Sequence, residues 1–147
     1  TLVATASSPP SRHTDPKALV SRNCQCTSFA GPCIENGLIT AWWRLDLGED
    51  HRLICNYYTV RQDGSSNFMR TWNLEGSLDG VHWHQLMCHR DDKKLCQPRQ
   101  YASWPVVGPQ ASIPFRMLRV ILRGPTSSRS TPWNLSLSYL ELYGYFR

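Results

Sequence analysis

At 147 residues, with 41% apolar and 18% charged side chains, the chain has the make-up of one globular unit and not of a disordered tail. No apolar run approaches the roughly 20 residues of a membrane span, and no segment reads as a signal peptide, though a piece excised from a longer protein would say little of its parent on that score. The net charge of +5 admits anionic partners, but basic runs stop at two residues, which argues against a nucleic-acid footprint.

Residues 1–40 carry breakers at Pro9, Pro10, Pro16 and Pro32, and no helical or alternating pattern lasts there. They are predicted as loops carrying short strands, the first at Leu2 and Val3. One helical turn over 17–20 is expected behind Asp15-Pro16, since proline suits the first helical position. From residue 41 a period-2 pattern takes over. Trp43, Leu45 and Leu47 share one face of the first strand, with Trp42, Arg44 and Asp46 on the other. Further strands are predicted over 53–61, 72–78 and 81–88. Asp79-Gly80 between the last two suits a type I′ turn, in which both central residues take positive φ. Val81, Trp83 and Met87 are expected to point inward. Residues 101–106 read as an edge strand, because Pro105 withholds a ladder donor. Leu118, Val120 and Leu122 face the core of a strand over 115–123, leaving Arg119 and Arg123 outward. A last strand spans about 135–143. These segments predict an all-β antiparallel sandwich, a jelly roll of about seven or eight strands, with residues 1–147 as one domain and its regular core in 41–144.

The six cysteines are Cys24, Cys26, Cys33, Cys55, Cys88 and Cys96. Cys24 and Cys26 are too close for easy mutual pairing in an extended segment. Cys55 reads as a buried thiol, and Cys88 with Cys96 would be able to bridge in an oxidising compartment. The main reading is of reduced thiols.

Several segments in fixed order carry a resemblance. Trp43 to Gly48 gives an aromatic-x-x-Asp-Leu-Gly strand. Trp72 to Trp83 gives a strand, Ser-x-Asp-Gly and a tryptophan. Phe115 to Val120 gives an aromatic-Arg-x-x-Arg strand, and Leu140 to Gly144 a closing one. Together these resemble the discoidin, or coagulation factor V/VIII C-type, family over residues 3–145. The resemblance implies a ligand-binding module with no catalysis. Secreted members usually carry a cysteine near each end, and here none follows Cys96. That points to the intracellular branch found in ubiquitin-ligase subunits and BTB- or HECT-containing proteins, which Arg70 to Ser77 and Ala102 to Pro105 look most like. The expectation is a cytoplasmic or nuclear recognition module that recruits a protein or peptide beside other domains of its parent. A membrane partner is not expected. The alternative is an extracellular adhesion domain that binds glycan or anionic phospholipid.

By position, loops 23–37, 61–70 and 124–134 resemble the family's ligand-contacting spikes and should gather at one end of the sandwich. Candidate ligand residues are Arg61, Gln62, Asp63, Ser65, Asn67, Phe68 and Arg70 in one loop, Phe29 in another, and Ser128, Arg129, Trp133 and Asn134 in the third. Arg61, Arg70 and Arg129 walled by Phe29, Phe68 and Trp133 would bind a carboxylate or phosphate, as on an acidic or phosphorylated peptide or a chain terminus. The competing reading pairs these arginines with Asp63 or loop carbonyls and packs Trp133 under the sandwich. His82, His84, His89 and Cys88 fall short of a zinc set, and Asp46, Glu49 and Asp50 form no clear oxygen cage. No nucleophile elbow, phosphate loop or His-Glu-x-x-His motif is present, so neither an enzyme nor a cofactor is expected. Asn134-Leu135-Ser136 is a glycosylation sequon whose Leu135 should be partly buried.

Overall fold

The computed structural model describes residues 2–147. In chain order the elements are β1 (Val3–Ala6), α1 (Pro16–Leu19), β2 (Cys33–Glu35), β3 (Leu38–Thr40), β4 (Trp42–Asp46), β5 (Leu53–Gln62), β6 (Trp72–Ser77), β7 (His84–His89), β8 (Tyr101–Pro105), β9 (Met117–Leu122) and β10 (Leu137–Phe146). The strands form a five-stranded sheet, β1-β4-β9-β6-β7, a three-stranded sheet, β10-β5-β8, and a separate hairpin, β2-β3. All pairings are antiparallel. Trp43, Trp72, Leu118 and Val120 from the first sheet share one core with Tyr58, Val60, Trp104 and Leu140 from the second. This is the antiparallel jelly-roll sandwich that the alternation predicts.

Alternation explains β4 directly. Trp43 and Leu45 are buried while Trp42, Arg44 and Asp46 are half-buried on the outer face. Fully burying each such aromatic or aliphatic side chain is worth about 1.5–3 kcal/mol. The helical turn α1 starts where Asp15 caps it, accepting from Lys17 N with Pro16 at the first position.

A polar knot sits inside the aromatic core. His89 on β7 stacks on Trp72 at 4.2 Å between ring centroids. Its Nε2 lies 2.6 Å from Tyr58 Oη and its Nδ1 3.1 Å from Asp92. Trp72 Nε1 donates to the same Tyr58 hydroxyl at 3.1 Å. The arrangement is complete for a neutral ring: Nδ1–H donates to Asp92 and the tyrosine hydroxyl donates to Nε2. Burial pushes the His89 pKa down against the pull of Asp92.

The outer face of the five-stranded sheet departs from expectation. Arg119 is not solvated but 4% exposed. Its guanidinium donates to Glu75 from β6 and to Glu35 from the hairpin, with closest approaches of 2.8 Å to each, and Trp83 covers it at 4.0 Å. Glu75 also accepts from Arg123 and from Asn73. Burial works to raise the Glu75 carboxyl, and the Asn73 and Arg119 contacts outweigh it, so the group is held below the usual carboxylate range. β9 is thus buried on both faces.

Two other local expectations are corrected. Of the pair Asp79-Gly80, only Gly80 has positive φ, +77°. The connection from β6 to β7 runs over 78–83, where Asp79 accepts from Val81 N, His82 N and the His82 ring. The type I′ pattern occurs instead at Asn36-Gly37, with φ of +53° and +77°. Finally, the register slips between Leu74 and Glu75, pairing them with Met87 and Gln85 and leaving Leu86 as the extra residue of a bulge. Val81 lies in the β6–β7 connection, outside β7, and is 74% exposed, while within β7 the slip leaves Leu86 buried.

Replacing Glu75 with Gln leaves Arg119 and Arg123 short of a buried partner and should cost about 3 kcal/mol in a urea titration. Because the folded His89 holds its proton less tightly than the unfolded one, the native state binds fewer protons as pH falls through about 6.5. Stability present above that pH is therefore lost on acidification. Thermal melts between about pH 7.5 and about pH 5.5 should show a steeper fall for the natural chain than for His89→Gln.

Candidate functional site

Four loops meet at one end of the sandwich, built around the turn that follows β5. Asp63, 1% exposed, is its hub. Its carboxylate accepts from Ser28 N at 3.0 Å, from Ser65 N at 2.9 Å and from Ser65 Oγ at 2.6 Å. Burial nonetheless raises this carboxyl above its ordinary pKa. The chain passes close enough that Gly64 N donates to Cys26 O at 2.7 Å, and a Cβ at Gly64 would lie 2.8 Å from that oxygen. Arg99 N donates to Asp63 O, which ties loop 96–100 to the same hub. That fourth loop has no counterpart among the predicted spikes. Its signal, an Arg99 with φ of +63°, is a backbone property.

Loops 61–70 and 124–134 are laced together. Ser127 N donates to Phe68 O and Phe68 N to Ser127 Oγ, both at 2.9 Å, while Ser127 Oγ donates to Ser66 O. Asn67 Nδ2 reaches Thr131 Oγ1 at 3.5 Å, and Ser128 and Thr131 share a hydroxyl contact at 3.2 Å. Ala30 bridges Leu135, and Phe29 N donates to His13 O. The predicted first loop splits, however. Its residues through Gly31 stay at this end, whereas 33–40 forms the hairpin over the sheet face.

The candidate residues fall into two groups. Arg61 is 3% exposed and wholly engaged. It lies between Tyr101 and Tyr139, 5.3 and 5.5 Å from their ring centroids, and donates to Ser138 Oγ, Arg22 O and Tyr101 Oη. A guanidinium so enclosed is spent on holding the fold together, apart from the surface that Arg129 offers. Arg70 is half-buried, donating to Leu95 O at 2.7 Å beside the Phe68 ring. Gln62 and Asp63 are buried scaffold, with Gln62 Nε2 donating to Asn67 O and its Oε1 lacking a partner among the described residues. Trp133 packs against the core and Asn134 is half-buried. The sequon residues Leu135 and Ser136 are buried. The surface offered outward is built from Asn67, Phe68, Ser128 and the exposed Arg129, which has no ion pair among the described residues. Ser127 and Thr131 lace the loops and were not singled out by the sequence.

The F5/8 type C domain model matches residues 3–135. The chain belongs to that family. A BTB/POZ domain-containing protein of Arabidopsis thaliana is 57% identical over 143 residues, 97% of this chain and 18% of that protein. The E3 ubiquitin-protein ligase Ufd4 of Drosophila melanogaster is 37% identical over 107 residues, 71% of this chain and 4% of the ligase. The chain thus spans a small part of these curated relatives. Among solved structures, CBM32-3 from a family 31 glycoside hydrolase of Clostridium perfringens superposes with a TM-score of 0.70 at 18% identity, covering 98% of this chain and 91% of that one. This likeness is one of fold. The F5/8 type C domain is a binding module. All six cysteines stand as free thiols, with Cys55 raised to about 11 by burial. Among the described residues, no helix is long and apolar enough to cross a membrane, and no group of three or more His, Cys, Asp or Glu is placed to hold a metal.

Asp63→Ala would orphan the Ser28 and Ser65 amides at once and should cost about 2–4 kcal/mol. Hydrogen exchange at those two amides should quicken beyond the global effect.

Proposed function

We propose that this domain is a non-catalytic recognition module of a larger intracellular protein of the ubiquitin-ligase type, holding a protein or peptide segment at the loop end of its sandwich. The observation that carries the reading is the rigid seam between Phe68 and Ser127, which presents Arg129, Asn67 and the Phe68 ring on a scaffold fixed by Asp63. An exposed guanidinium with no ion pair among the described residues suits an acidic or phosphorylated residue or a chain terminus. The relatives named as a BTB/POZ protein and an E3 ligase support the setting, and the fourfold loop junction supports the location.

A peptide array carrying acidic, phosphorylated, free-terminus and neutral sets tests this. Selective binding should fall about tenfold or more in Arg129→Ala and in Phe68→Ala, while Arg90→Ala, an exposed control, leaves it unchanged. Absence of peptide binding, or binding indifferent to both loop variants, would sink the reading and favour a glycan or lipid ligand.

A further inference from the structure

A second recessed surface lies on the outer face of the five-stranded sheet. It is a cup of about 290 Å³ lined by Arg44, Trp42, Trp83, Val81, Gly80 and the hairpin's Glu35, among others. Arg44 and Arg119 stand directly opposite each other on β4 and β9. Like charges so placed repel unless each is compensated. Arg119 is compensated by Glu35 and Glu75, Arg116 by Asp46, and Arg123 by Glu75. Four guanidiniums therefore face three carboxylates, and Arg44 is the one without an ion pair among the described residues.

Arg44 is nonetheless held in place. Its Nε donates to Thr5 Oγ1 at 3.0 Å and its guanidinium lies over the Trp42 ring at 5.4 Å. Neither attachment uses the two Nη groups, which have no hydrogen-bond partner among the described residues. Gly80, at φ +77°, flanks Nη1 with no side chain, since a Cβ there would lie 3.8 Å away. Val81 at the edge of the cup is apolar and 74% exposed, and the hairpin that supplies Glu35 also carries the exposed Ile34 and Leu38, at 71% and 65%. A guanidinium held over the Trp42 ring, in a cup that Trp83 and Val81 also line, has the composition of an interaction hot spot.

We propose that this cup binds a carboxylate side chain in an acidic segment of a protein partner, with Arg44 as its fork and the segment's apolar neighbours resting on Val81 and the β2-β3 hairpin. The carboxylate supplies the close ion-pair partner that Arg44 lacks among the described residues. This site is separate from the loop end, and its occupant is reached without the residues assigned there.

The test uses the ¹⁵N-labelled 147-residue chain and two blocked peptides, acetyl-Leu-Asp-Glu-Leu-amide and its neutral counterpart acetyl-Leu-Asn-Gln-Leu-amide. The acidic peptide should shift the indole N–H resonances of Trp42 and Trp83 saturably, and the neutral one should not. Arg44→Gln should weaken the acidic peptide about tenfold or more. Val81→Glu, on the exposed rim, should abolish binding by supplying its own carboxylate without changing the melting temperature, which keeps the test valid if Arg44→Gln folds poorly. Arg129→Ala should bind as the natural chain does. Equal shifts from both peptides, no saturable shift, or binding that survives Val81→Glu would overturn the proposal. Loss in Arg129→Ala alone would place the peptide at the loop end and overturn it equally.

Discussion

The Arg119 guanidinium is the contact on which the outer architecture depends. It ties together three segments far apart in the chain, donating to Glu75 from β6 and to Glu35 from the hairpin while Trp83 lies across it. A buried charge is tolerable only when its hydrogen bonds are filled, and here the filling itself positions structure. Without Glu35 the β2-β3 hairpin would lose its charge-assisted tie to the sheet. Without Trp83 the guanidinium would lose its cover. The recessed surface around Arg44 is thus a by-product of how its neighbour is neutralised.

The loop end works on the same principle with the sign reversed. There a carboxylate, Asp63, gathers backbone and hydroxyl donors from two loops, and its own carbonyl takes a third. A buried anion that satisfies several amides makes loops rigid without apolar mass, which matters where the surface has to stay polar for a ligand. Family membership says that such domains bind; the two charged hubs say how this one keeps two surfaces in shape.

Much of this fold is legible in the chain. Period-2 alternation in β4, the aromatic and β-branched run of β5, and the motif order locate the sandwich and its loop end. What escapes is set at a distance. Arg119 reads as solvent-facing from alternation alone, because Glu35 lies 84 residues earlier and no local pattern announces it. Arg61 reads as a ligand group for the same reason, its partner Ser138 being 77 residues away. The β7 bulge reverses a face that strict alternation assigns to the core. Asn36-Gly37 is different: a two-residue hairpin signal stands in plain view there, outweighed by the prolines around it.

Arg61 has one more consequence. Its backbone belongs to β5, its guanidinium is clamped by two tyrosines on the outer face of the three-stranded sheet, and its remaining donors hold the carbonyls of Ser21 and Arg22. The side chain is a strut between that sheet face and the chain segment that runs into the loop end. Losing that guanidinium would therefore unfasten residues 21 and 22 from the sheet as well as empty the space between the two tyrosines.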